Sequence, residues 1–220
     1  MARKQRIWLT AIVATTWLAG WPQWHWLLKR ANDGSDESWG IVALLTFVAL
    51  WWRDRHKLRL PCPNLLGATA ILMTAAECLG GRLPPRFTAA LAVIGIGWLM
   101  GGLLPIERKR FPLLSLVVLI LPLSASLNFY LGYPLRRLCA LAAEPILSAL
   151  GWPVIAQGTA LSWNGQSVLI DAPCAGIAML WLGLYLASLF SYLQSARLSK
   201  SLANLLAAVM VVLVANVLRN

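Results

Sequence analysis

GTALSWNGQSVLIDAPCAGIAMLW, residues 158–181, changes its character halfway along. Up to Ile170, two short β-prone runs flank Asn164-Gly165, the residue pair that favours the left-handed backbone of a two-residue hairpin turn. Beyond Pro173 the chain turns apolar and stays so to about Ser195. A run of that length approaches the roughly 20 residues that cross a bilayer. The stretch therefore reads as a small β-hairpin near 158–171 set directly before a membrane helix, with Cys174 at or just ahead of the helix start.

The rest of the chain agrees with a membrane reading. It has 220 residues, of which 59% are hydrophobic and only 12% charged, far too apolar for an ordinary soluble domain. Apolar runs place helices at about 7–28 (interrupted near Gly20–Pro22), 39–52, 65–81, 87–106, 112–127, 174–195 and 202–218. Between them, Pro134, Pro145, Pro153 and Pro173 interrupt the segment 129–173, and 135–150 reads as a broken helix along the membrane surface. The expected fold is an all-α, multi-pass bundle of about seven transmembrane helices. It forms one integral-membrane domain over residues 1–220, with N-terminal helices in 1–110 and a second half in 111–220. The opening MARKQR reads as the flank of a retained first helix, because no small-residue cleavage site follows. The 12 Trp suit the interfacial belts where an indole is stable at headgroup depth.

A net charge of +11 could point to nucleic acid, but the placement of the charges excludes it. They sit in short clusters between apolar runs, as topology signals do, and no basic stripe or nucleic-acid motif is visible. With the N-terminus inside, the inner segments carry Arg3, Lys4, Arg6, Arg53, Arg55, Lys57, Arg59, Arg108, Lys109, Arg110, Arg197 and Lys200, which is 12 of the 19 basic residues. That orientation places the hairpin, Cys174 and Arg219 on the outer face. Cysteines occur at 62, 78, 139 and 174, with no CxxC spacing, so neither a metal site nor a redox motif is indicated, and no cofactor is expected. Cys62 and Cys78 read as packing residues.

Four features could carry chemistry. At a helix start, unpaired N–H groups and the helix dipole stabilise an anion, so a cysteine there gains thiolate character and the same amides can hold an oxyanion. Cys174 has that position, and Gly176 leaves the backbone open to close approach. The plainer alternative is that Cys174 is a small apolar filler. Arg219 ends the last apolar run in NVLRN, with Asn216 about one turn earlier. A guanidinium there is either an interfacial anchor or a charge able to stabilise a thiolate or oxyanion. Asp171 lies three residues before Cys174 and reads as a loop acid or a group that orients a partner. Glu77, inside an apolar helix, is a candidate by position, or else pairs with Arg82 at the interface. A Cys139–Cys174 disulfide is disfavoured because it would block the thiol, and Arg136 and Arg137 suit phosphate headgroups.

In order, GYPLRRL, the hairpin ending in VLIDAPCAG, the long helix after it, and NVLR some 40 residues later resemble the exosortase/archaeosortase family of membrane-embedded cysteine transpeptidase-like proteases, over about residues 111–220. PCAG is similar to that family's Cys-Ser-Gly box and NVLR to its Asn-x-x-Arg box. The resemblance implies a nucleophilic Cys174, an electrostatic Arg219, and supporting roles for Gly176, Ala175, Asn216 and Asp171. It implies cleavage or transpeptidation of C-terminal sorting tails of secreted proteins, through a thioester, at the outer face of a bacterial inner membrane. The partners would be the tailed protein, which in the family carries a short Pro-containing motif, one transmembrane helix and a basic end, and the bilayer. Two departures stand out. Ala175 occupies the usual Ser position, and the family's histidine on a following helix has no counterpart before the sequence stops at Asn220. The stop reads as a truncated product or an incomplete sequence, or, if complete, as an inactive member. His25 and His56 lie upstream, His56 on the side expected inside. A small non-enzymatic membrane carrier is the alternative from another class.

Overall fold

The computed structural model describes residues 3–32, 39–104, 107–171 and 175–219. Among these the chain is mostly helical: α1 (Arg3–Ala19), α2 (Trp21–Ala31), α3 (Trp39–Asp54), α4 (Pro63–Cys78), α5 (Pro85–Gly102), α6 (Arg110–Val118), α7 (Ser124–Ala149), α8 (Ile177–Leu193) and α9 (Leu198–Arg219). Three short strands, β1 (Ile155–Gln157), β2 (Ala160–Trp163) and β3 (Gln166–Leu169), lie between α7 and α8. Among the described residues, α5 and α9 are long and apolar enough to cross a bilayer, and α8, at 17 residues, is apolar but shorter. Seven spanning helices are thus not shown among the described residues. α3 and α4 have 16 residues each, about 24 Å at 1.5 Å per residue, and α6 has only nine.

The chain divides into two compact units, Met1–Pro122 with Ser188–Ser201, and Leu123–Ala187 with Leu202–Asn220. In the first, the expected interruption at Gly20 separates α1 from α2. There the Trp24 indole N–H donates to the Trp17 carbonyl at 2.8 Å, and the two rings stack with centroids 4.8 Å apart. The same carbonyl accepts from the Gly20 N–H at 3.2 Å, so both bonds close the end of α1. The core gathers Leu99, Leu103 and Leu104 near the end of α5 with Leu113 and Leu116 of α6. Ala89, Ala92 and Gly97 along α5 are buried, small residues of the kind that let neighbouring helices approach closely. Glu77 falls in the last turn of α4, which ends at Cys78 rather than near Gly81, and it is exposed. Cys62 and Cys78 are exposed too, against their reading as packing residues.

The first unit also holds a buried ionic cluster that charge counting misreads. Lys109, assigned above as a topology charge, is almost fully buried and its Nζ lies 2.6 Å from Asp54 Oδ2. The Tyr192 hydroxyl donates to the same carboxylate oxygen at 2.9 Å, and its ring stands 4.7 Å from Lys109 Nζ. Within the same unit, the Ser115 hydroxyl donates to the Pro112 carbonyl at 2.8 Å and its oxygen lies 2.9 Å from Ser188 Oγ.

In the second unit, α7 corrects the expectation of a break in the helix at 135–150. The apolar run begun near Pro112 does not continue to 127. α6 stops at Val118, ahead of Pro122, and α7 starts afresh at Ser124 and runs 26 residues through Pro134 and Pro145. Each proline removes one helical hydrogen bond. The residues between them offset that loss by packing: Cys139, Ala140 and Ala143 are buried against Leu161 and Ile170. The sheet has order β1-β2-β3, all antiparallel, so the expected hairpin at β2–β3 gains a third strand ahead of it. Asn164 and Gly165 make its turn, with φ of 48° and 78°. Both are left-handed, as a two-residue turn of this kind requires.

Candidate functional site

Asp171, Ala175, Gly176, Asn216 and Arg219 fall in the second unit, and the structure brings two of them together. α8 starts at Ile177, later than the expected start at Cys174, and the Gly176 carbonyl accepts from the Leu180 N–H at 2.8 Å, opening the helix. Gly176 has φ +77°, a conformation that strains any residue with a Cβ. A Cβ at Gly176 would also lie 2.7 Å from Asn216 Cγ, so the Gly176 backbone is seated directly on the Asn216 side-chain amide. The PCAG and NVLR boxes, 40 residues apart between these two positions, thus meet through Gly176 and Asn216.

Asn216 is 2% exposed, and its Nδ2 donates to Cys139 Sγ on α7 at 3.1 Å. Ala175 is buried beside Gly176 in the chain. Arg219, one turn beyond Asn216 and the last residue of α9, is exposed. The two therefore differ in environment although their spacing puts them on one side of the helix. Asp171 follows β3 and is exposed. Cys174 lies outside the described residues, three positions ahead of Ile177 in sequence. His25 on α2 and His56 in the turn after α3 are exposed members of the first unit.

Sequence reasoning missed the part played by Cys139. Its neighbours Ala140 and Ala143 carry the small-residue spacing of a packed helix face, which signals burial. Nothing local signals a hydrogen bond to a residue 77 positions away. It also missed Glu144, whose carboxylate accepts from the Ala156 N–H of β1 at 3.3 Å and ties the end of α7 to the sheet.

The Gly176–Asn216 seat makes a sharp prediction. Gly176→Ala must bear both a disfavoured φ and an overlap with the amide, together a loss of about 2–4 kcal/mol. A thermal unfolding midpoint in detergent indistinguishable from that of the unaltered protein would contradict this packing.

The comparisons with curated proteins and with solved structures returned no match. The comparison with protein families matches residues 26–220 to the family described as transmembrane exosortase. The match reaches well ahead of the segment 111–220 that carries the motif resemblance, and it takes in most of both units. The chain belongs to the transmembrane exosortase family, membrane proteins of the cysteine transpeptidase kind that process sorting signals.

Proposed function

We propose that this chain cleaves or transpeptidates C-terminal sorting tails of secreted proteins at the outer face of the cytoplasmic membrane, with Cys174 as nucleophile. The observation that carries this reading is the seating of Gly176 on Asn216, because it joins the stretch that follows Cys174 to the turn that precedes Arg219. In the reaction, the Cys174 thiolate attacks the scissile carbonyl. The Arg219 guanidinium and amide groups near the start of α8 oppose the charge that builds on the oxygen. Collapse breaks the C–N bond and expels the amine end of the tail, which takes its proton from water. The thioester left on Cys174 then passes to an amine or to water. Asn216 supports the site by holding Gly176, Ala175 backs the turn, and Asp171 stands at its solvent side. Working inside the bilayer suits a substrate that arrives as a membrane helix.

The test is to trap the intermediate. Protein co-expressed with a tailed substrate and quenched in acid is expected to yield a Cys174-containing peptide carrying an acyl mass that neutral hydroxylamine removes. A labile acyl group on another residue, or on none while processing proceeds, would overturn the assignment. Orientation is read separately. A membrane-impermeant thiol reagent is expected to label Cys174 from the outer side, and labelling from the inner side alone would refute the outer-face assignment.

A further inference from the structure

The two edges of the sheet are treated differently, and the difference points to a partner. Register decides which backbone groups face outwards. Trp163 is opposite Gln166 across the two-residue turn and Leu161 is opposite Val168. The Ile170 N–H donates to the Thr159 carbonyl at 2.9 Å. Antiparallel ladders alternate hydrogen-bonded and non-hydrogen-bonded pairs. The peptide groups of Gln166, Val168 and Ile170 therefore bond to the β2 side, and those of Ser167 and Leu169 point the other way. On the opposite edge, the same alternation turns the Ala156 N–H of β1 outwards, and there the Glu144 carboxylate accepts it. β3 lies at the other end of the sheet order, with no strand beyond it among the described residues, and all four of its residues are exposed.

An open strand edge is a template for one kind of ligand, an extended polypeptide backbone. Its place in the chain says which polypeptide. In sequence, Cys174 follows Leu169, the last residue of β3, by five positions, a tether of at most roughly 18 Å. Val168 and Leu169, 69% and 59% exposed, add apolar contacts on opposite sides of the strand. We propose that an extended segment of the substrate adds to β3 as a fourth strand, its backbone held by the outward N–H and C=O groups of Ser167 and Leu169. This rests on the reading of Cys174 as nucleophile. It goes beyond that reading in naming how the substrate is bound, by main-chain pairing with side chains read at every second position.

The experiment measures binding of a synthetic sorting-tail peptide, a Pro-containing segment followed by an apolar helix and a Lys/Arg end, to the full Cys174→Ala chain in nanodiscs. Backbone N-methyl groups are walked through the segment ahead of the helix. Only alternate residues of an added strand turn their N–H to β3, so affinity is expected to fall about 10-fold at every second position and little between them. Ser167→Pro, which removes an outward donor without touching the β2 ladder, is expected to weaken binding of the unmodified peptide by a similar factor, while Ser167→Ala is neutral. A methyl scan without the two-residue period, or a Ser167→Pro chain that folds and binds normally, overturns the proposal. So does a Ser167→Pro change confined to oligomeric state, which would assign the edge to a second copy. Processing by the unaltered chain is followed in parallel. A substrate that is cleaved without the period sinks only the docking mode, whereas processing that persists in Cys174→Ala sinks the nucleophile.

Discussion

Cys174→Ala is expected to leave a co-expressed tailed protein at full length. On the proposed mechanism the thiolate forms the bond that replaces the scissile amide, so removing it deletes the chemical route and leaves substrate binding in place. Loss of a nucleophile that works as part of such a set lowers turnover by about 10⁶-fold in a well-studied serine protease. The Arg219 variants grade the effect. Arg219→Ala removes a charge aimed at a developing oxyanion, a loss on the order of 10²–10³ in turnover. Arg219→Lys keeps the charge but not the planar fork, and should fall between Arg219→Ala and the unaltered chain. The measurement is the ratio of processed to full-length substrate over time, with binding of the same tail recorded for each variant. A loss of binding in Arg219→Ala at unchanged turnover would recast that residue as a substrate anchor.

The second large effect concerns stability. Asp54→Ala is expected to destabilise the first unit by about 3–5 kcal/mol, because it strips the carboxylate from a buried lysine. Lys109 Nζ and the Tyr192 hydroxyl both converge on Asp54 Oδ2, at 2.6 and 2.9 Å, so one deletion disturbs two partners. Tyr192→Phe removes only the hydroxyl and should lose about 1–3 kcal/mol. The informative variant is Asp54→Leu with Lys109→Met, which replaces both charges with apolar groups. Removing a buried pair together is far milder than orphaning one member, so most of the stability should return. Unfolding midpoints in detergent for the three chains check the order. Equal losses for the single and double variants would mean that the cluster is held by something other than the ion pair.

Much of the architecture was open to direct reading because it depends on local chemistry. Apolar runs located most of the helices to within a few residues, Gly20 marked a real break, and Asn164-Gly165 marked a real turn. The errors arose where distant packing overrides local preference. Pro134 and Pro145 look like helix breakers, yet α7 continues through both because the face between them is buried against the sheet. Lys109 looks like a solvated topology charge, yet it is buried because Asp54, 55 positions earlier, reaches it. β1 is three residues long and has no alternation of its own to announce it.

The candidate site divides the same way. Sequence alone determined that Cys174 precedes an apolar helix, that Arg219 ends another, and that the two motifs follow the order of one family, since residue identity and spacing are properties of a single strand of text. Only the tertiary structure decided that Gly176 rests on Asn216, that Asn216 bonds Cys139, and that β1 is capped by Glu144 while β3 has no strand beyond it among the described residues. Those are contacts between segments separated by 12 to 77 positions. Their geometry is set by how helices and sheet fill space together, which no local pattern encodes.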